Sequence, residues 1–110
     1  MLVLFYSDKG NFIGVVGQLL DRGNVKHVKA LTQEASDLPV YSLNAPAFIP
    51  EASFSDHSSY WALDLPAVMV TDTAFLRNPN YHKPTDTPDT LDYERMADVV
   101  SGLYRVATQF

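Results

Sequence analysis

The chain contains no cysteine, so it can form neither a disulfide framework nor a thiolate metal site, and any metal it holds must be bound by histidine and carboxylate side chains. Basic residues are scarce: 8 Lys and Arg against 13 Asp and Glu leave a net charge of −5. A nucleic-acid backbone is gripped by clustered Lys and Arg, so this balance, with the basic residues scattered, argues against a nucleic-acid partner. There is no apolar run of about 18 residues, the length a membrane-crossing helix needs, so no membrane partner is expected. The glycine-rich phosphate loop, the G-x-S-x-G elbow, H-E-x-x-H and the dinucleotide fingerprint are all missing, and the contiguous Ser55-Asp56-His57 cannot adopt the geometry of a catalytic triad.

What is present is a globular composition. The chain has 110 residues, 46% apolar and 19% charged, enough for one modest core and one domain. Its opening, "MLVLFYSDKG", lacks a basic region and a small-residue cleavage site, so Leu2 to Tyr6 reads as a strand or extended arm rather than as a signal peptide. "NFIGVVGQ", Asn11 to Gln18, is rich in β-branched and aromatic residues and reads as a buried strand. From Asn24, a plausible N-cap, the apolar positions Val25, Val28, Leu31 and Ala35 form one helical stripe, which Pro39 bounds.

"LPVYSL" reads as a second strand and "NAPAFIPEASF" as an irregular loop. Ser55 or Asp56 can cap a short helix in "SDHSSYWALD", and the continuous apolar run "LPAVMVTD" has the look of a fully buried parallel strand. Asp92 to Ala107 carries Met96, Val99, Val100, Leu103 and Val106 on one face, a surface helix that covers a sheet. Strands alternating with helices imply an α/β layer with a largely parallel sheet.

In open α/β sheets the working residues collect in loops beyond the carboxyl ends of strands. Two such loops stand out, "SDHSS" and "NPNYHKPTDT", which makes Asp56, His57, Tyr81, His82, Asp86 and Asp89 the candidates. Most have a plain structural reading: Asp56 as a helix cap, His57 as a first-turn structural histidine, Asp86 and Asp89 as turn residues, and His27 on a solvated helix face. His82 is different. It lies between an aromatic and a lysine in a proline-flanked loop, with Asp86 four residues on, and a nearby carboxylate can fix the tautomer of a metal-binding imidazole.

The stretch "SDHSSYWALDLPAVMVTDTAFLRNPNYHKPTDTPDTLDYERMADVVSGL" resembles the carboxyl-terminal part of the co-catalytic zinc aminopeptidases, the family of bacterial leucyl aminopeptidase and aminopeptidase Y that also includes the glutaminyl cyclases. The resemblance rests on Ser-Asp-His, an aromatic, Leu-Pro-Ala leading into an apolar strand, then Tyr-His, three residues and Asp-Thr. It implies a partial α/β/α sandwich and two zinc ions in the intact family enzyme. It also implies that His82 is a zinc ligand, Tyr81 a catalytic residue that helps hold the oxyanion, and Asp56, His57 and Asp86 residues lining the site. The glutaminyl cyclase branch fits less well, because it has tryptophan where this chain has Tyr81.

The chain departs from that family's pattern in having no His-x-Asp motif and no Glu-Glu pair, so four of five ligands and the glutamate base are missing. Residues 1–110 are therefore expected to be a single domain or half-domain, a fragment that binds no zinc or substoichiometric zinc and is inactive alone. Its partners would be a peptide substrate in the intact enzyme and a missing amino-terminal half or a second copy. The alternative is a non-catalytic α/β module serving assembly or binding, in which an open sheet edge favours a homodimer.

Overall fold

Residues 11–45 and 55–110 are described by a computed structural model. At its centre lies β1 (Ile13–Gln18), buried on both faces because Phe12, Ile13, Val15 and Val16 alternate outward from an extended backbone. β2 (Val40–Ala45) pairs with it in parallel, from Ile13 opposite Val40 to Gln18 opposite Ala45. β3 (Met69–Thr71) pairs on the other side with the opposite direction, Gly14 facing Thr71 and Val16 facing Met69. The sheet order is β2-β1-β3, and the domain is a small mixed α/β unit.

The expectation of a largely parallel sheet is thus corrected: the sheet is mixed. An apolar run carries no direction, and only three residues of "LPAVMVTD" enter the ladder, all half-buried rather than fully enclosed. The strand stops where Asp72 Oδ1 accepts the Ala74 N–H at 2.9 Å, a side-chain turn that competes with the ladder.

The crossover from β1 to β2 is α1 (Arg22–Ala35), entered through a single 3-10 turn, Leu19–Asp21. It starts two residues before the expected Asn24. Val25, Val28 and Leu31 are its buried stripe, as their spacing dictates, and Val25 and Val28 join Val15 and Val40 in one core cluster. Gly17 permits the close approach of β1 and α1: a Cβ there would lie 2.4 Å from Val25 Cγ2. The helix ends at Ser36, whose hydroxyl accepts the Leu38 N–H at 3.2 Å before Pro39 turns the chain into β2.

On the opposite face Val16 and Ala45 pack with Leu43, Met69 and Trp61. Trp61 belongs to α2 (His57–Ala62) and donates its indole N–H to the Ala67 carbonyl at 2.9 Å. Neither Ser55 nor Asp56 caps this helix with its side chain; the Ser55 carbonyl accepts from the Ser58 N–H and hydroxyl instead.

After β3 come the single turn α3 (Ala74–Arg77), a loop, a 3-10 turn at Pro88–Thr90 and the long helix α4 (Tyr93–Gln109). Asp92 is its N-cap, accepting the Arg95 N–H at 3.1 Å. This helix packs chiefly on α1, where Gly102 meets Thr32, and reaches the sheet core through Val106. Arg105 pairs with Glu34 at 3.2 Å, and the exposed His27 stacks on Phe110 with ring centroids 4.5 Å apart. The expected strand at Leu2 to Tyr6 and most of the loop "NAPAFIPEASF" lie outside the described residues.

Candidate functional site

The antiparallel direction of β3 decides where the histidine loop goes. Because Thr71 faces Gly14, the chain leaves β3 at the amino end of β1. The expectation that this loop lies beyond the carboxyl ends of the parallel strands is therefore corrected. Beyond the carboxyl end of β1 stands Asp21, 3% exposed, whose Oδ2 accepts the Ala67 N–H at 3.4 Å and so ties the entry of α1 to the segment before β3.

Two residues in the segment after β3 adopt left-handed backbone without being glycine. Thr73 has φ 61° and His82 φ 57°. For a β-branched threonine this is a true outlier, sustained only when the surroundings over-determine it. Thr73 is buried, and its hydroxyl accepts from Arg77 Nη1 at 2.8 Å while the Arg77 guanidinium lies 4.9 Å over the Phe12 ring. These contacts fix α3 onto β1.

From α3 the chain folds back through Asn78, whose Oδ1 accepts the Asn80 N–H at 2.9 Å and whose carbonyl accepts the Tyr81 N–H at 3.1 Å. His82 follows, exposed, its imidazole stacked on the half-buried Tyr81 ring at 3.9 Å with an interplanar angle of 16°. Lys83 N–H donates to the Asn80 carbonyl and Asp86 N–H to the Lys83 carbonyl, so the loop is a chain of tight turns. Thr87 donates to the Asp89 carboxylate, and the Tyr93 hydroxyl donates to the Pro88 carbonyl at 2.8 Å, joining the loop to α4.

Beside this loop a cleft of about 450 Å³ opens between the amino end of β1, the Asn78–Asn80 turn and the first turns of α4. Its polar lining includes Arg77, Asn80, Asp92 and Arg95. Arg95 keeps Asp98 at 3.9 Å, and Asp92 is engaged as a helix cap.

The sequence candidates are placed as follows. Tyr81 and His82 are brought together by stacking. Asp86 is exposed, and among the described residues no hydrogen bond or ion pair joins it to His82. Asp56 is exposed at the start of α2, and Asp89 is exposed in the 3-10 turn. His57 is buried, 6% exposed, edge-on to Trp61 with ring centroids 4.5 Å apart. Among the described residues no three His, Cys, Asp or Glu side chains come together as a metal site. Asp21 and the arginines of the cleft carried no local signal, because a lone Asp after Leu-Leu and a lone Arg near a helix end are ordinary surface patterns.

The described elements define a small mixed α/β domain with a three-stranded mixed sheet flanked by helices. No helix among the described residues is long and apolar enough to cross a membrane. The chain is similar to the uncharacterized protein YfbL of Escherichia coli (strain K12), 54% identical over 98 residues that cover 89% of this chain. It spans only 30% of that relative's length. No protein-family model and no solved structure matches the chain.

These comparisons correct the expected membership of the co-catalytic zinc aminopeptidases. No model of such a family matches, and the relative that matches is uncharacterized. The assignment is withdrawn.

Proposed function

We propose that this chain is one portion of a larger zinc-dependent hydrolase that removes amino-terminal residues from peptides, and that it is inactive by itself. The observation that carries this reading is the state of His82: exposed, at φ 57°, stacked on Tyr81, and with neither ring nitrogen hydrogen-bonded among the described residues. Left-handed backbone costs a non-glycine residue about 1–2 kcal/mol, and such strain collects where function over-determines geometry. An imidazole held out of the core with its nitrogens unengaged is ready to bind a metal.

The residues described do not complete a zinc site. A catalytic zinc takes about three protein ligands, and no such group assembles here. His82 would supply one, and the other ligands and the general base would come from polypeptide beyond this chain. The chain's match to 30% of a longer relative is in keeping with that division. Tyr81 would offer its hydroxyl to the developing oxyanion of a peptide carbonyl, with Asp56, His57 and Asp86 lining the same site. In this reading the three strands belong to a wider α/β/α sandwich.

The test uses the longer E. coli relative and this chain side by side. Aminopeptidase activity in the relative that is lost on chelation and restored by zinc, with none in the 110-residue chain, is the expected result. A relative without zinc-dependent peptidase activity, or a fully active 110-residue chain, overturns the proposal.

A second reading, a non-catalytic assembly or binding module, is favoured by the large apolar side chains left at the surface, among them Leu20 at 88% and Leu63 at 73% exposure. Association without hydrolysis in the same experiment would select it.

A further inference from the structure

α4 carries two apolar stripes, and only one is used. Val99, Gly102 and Val106 turn toward α1 and the core. The other runs Tyr93, Met96, Val100, Leu103, Ala107 and Phe110, at spacings of three, four, three, four and three residues, which is the a/d seam of a two-helix coiled coil. Every one of the six is exposed, Val100 at 63% and Tyr93 at 58%. Phe110 stays 60% exposed even while stacked on His27. A surface helix of a monomer has no use for a second, uncovered seam.

We propose that this seam docks on the same seam of a second copy, with the two α4 helices antiparallel. Register is what favours a second copy. An antiparallel pair with its twofold axis level with the Ser101–Gly102 peptide sets Tyr93 against the partner's Phe110, Met96 against the partner's Ala107, and Val100 against the partner's Leu103. All layers are apolar, and the Met–Ala layer matches a large side chain with a small one. Flanking positions in a coiled coil choose partners by charge, and here they are Ala97 and Tyr104 on one side and Val99 and Val106 on the other, so two copies meet without like-charge repulsion.

The charged residues of α4 lie off the seam. Arg95 and Asp98 face one another at 3.9 Å, and Arg105 is held by Glu34 at 3.2 Å. Antiparallel alignment also sets the positive end of each helix dipole beside the negative end of its partner.

A seam about 25 Å long, from 17 residues of helix, is smaller than a standard interface. The dimer therefore exchanges with monomer, with a dissociation constant on the order of tens of micromolar. This interface uses residues other than the His82 loop, and it stands whether or not that loop serves a hydrolase.

Sedimentation velocity on the 110-residue chain, from about 1 to several hundred micromolar, is expected to record a monomer–dimer equilibrium across the range set by the interface size. Val100→Asp, at an exposed position, is expected to weaken it by about tenfold or more with an unchanged circular dichroism spectrum. Because the chain has no cysteine, register can be read by cross-linking. The double variant Met96→Cys with Ala107→Cys is expected to oxidise to a disulfide-linked dimer. Met96→Cys alone is not, because the two copies of residue 96 stand about 16 Å apart in this register, beyond disulfide reach.

A chain that remains monomeric at the highest concentration overturns the proposal and leaves the seam to a segment of a longer polypeptide. A dimer indifferent to Val100→Asp overturns it too, since another surface would then be in use. Cross-linking by Met96→Cys alone as efficient as by the double variant would rule out the antiparallel register.

Discussion

Replacing Gly102 by alanine isolates the contact that sets how closely α4 lies on α1, and so how the outer seam of α4 is presented. A Cβ at residue 102 would stand 2.7 Å from Thr32 Cγ2 and 3.4 Å from Thr32 Cα. The first distance is about 1 Å below the carbon–carbon optimum. Thr32 cannot swing away freely: it is 2% exposed, and its hydroxyl donates to the Val28 carbonyl at 2.7 Å. The helices must therefore separate, an overpacking cost of about 1–3 kcal/mol, against which alanine regains about 1 kcal/mol of helix propensity.

Gly102→Ala is thus expected to lower stability by about 1–2 kcal/mol, and the melting temperature by roughly 4–8 °C per kcal/mol. Thr32→Ser removes the obstructing methyl and keeps the hydroxyl. In that background Gly102→Ala should be neutral or stabilising by up to about 1 kcal/mol, a coupling of at least ~1 kcal/mol between the two sites. Urea unfolding followed by the fluorescence of Trp61 and by far-ultraviolet circular dichroism measures all four corners of the cycle. A Gly102→Ala protein as stable as its parent, or a coupling near zero, would refute the close-packing account.

Val15→Ala, at the fully buried centre of the core, should cost about 2–3 kcal/mol in the same assay, from two lost methyl groups and the cavity they leave. Asp92→Ala, which removes the cap of α4, should cost about 1 kcal/mol; a change within error would mean that the Arg95 N–H finds another acceptor at no loss. His82→Val should be less stable than His82→Gly by about 1 kcal/mol or more, because only glycine adopts φ near 57° without a Cβ clash. Equal stabilities would indicate that the loop relaxes out of the left-handed conformation.

Local pattern determined much of the fold. β1 was legible from β-branched residues between glycines, and α4 from its stripe and from Asp92 at its start, because side-chain periodicity and capping are properties of a few neighbouring residues. The stripe of α1 was legible for the same reason, but its first turn was not. Asp21 sits at the cap position and spends its carboxylate on Ala67, 46 residues away, a partner that no local reading can supply. The Tyr81–His82 pair was legible as the unusual member of a proline-flanked loop. The stacking of its rings and the left-handed backbone of His82 were not, since both follow from how the turns close on one another.

The direction of β3 belonged entirely to tertiary structure. Eight apolar residues in a row specify burial and strand length but no orientation, and pairing with β1 in the antiparallel sense sent the following loop to the amino end of the sheet. The same holds for α4: sequence alone determined that one arc of the helix is apolar. Only the packing of Gly102 on Thr32 decided which half of that arc faces α1 and which half is left at the surface, because the choice depends on where a second helix can come close enough to touch.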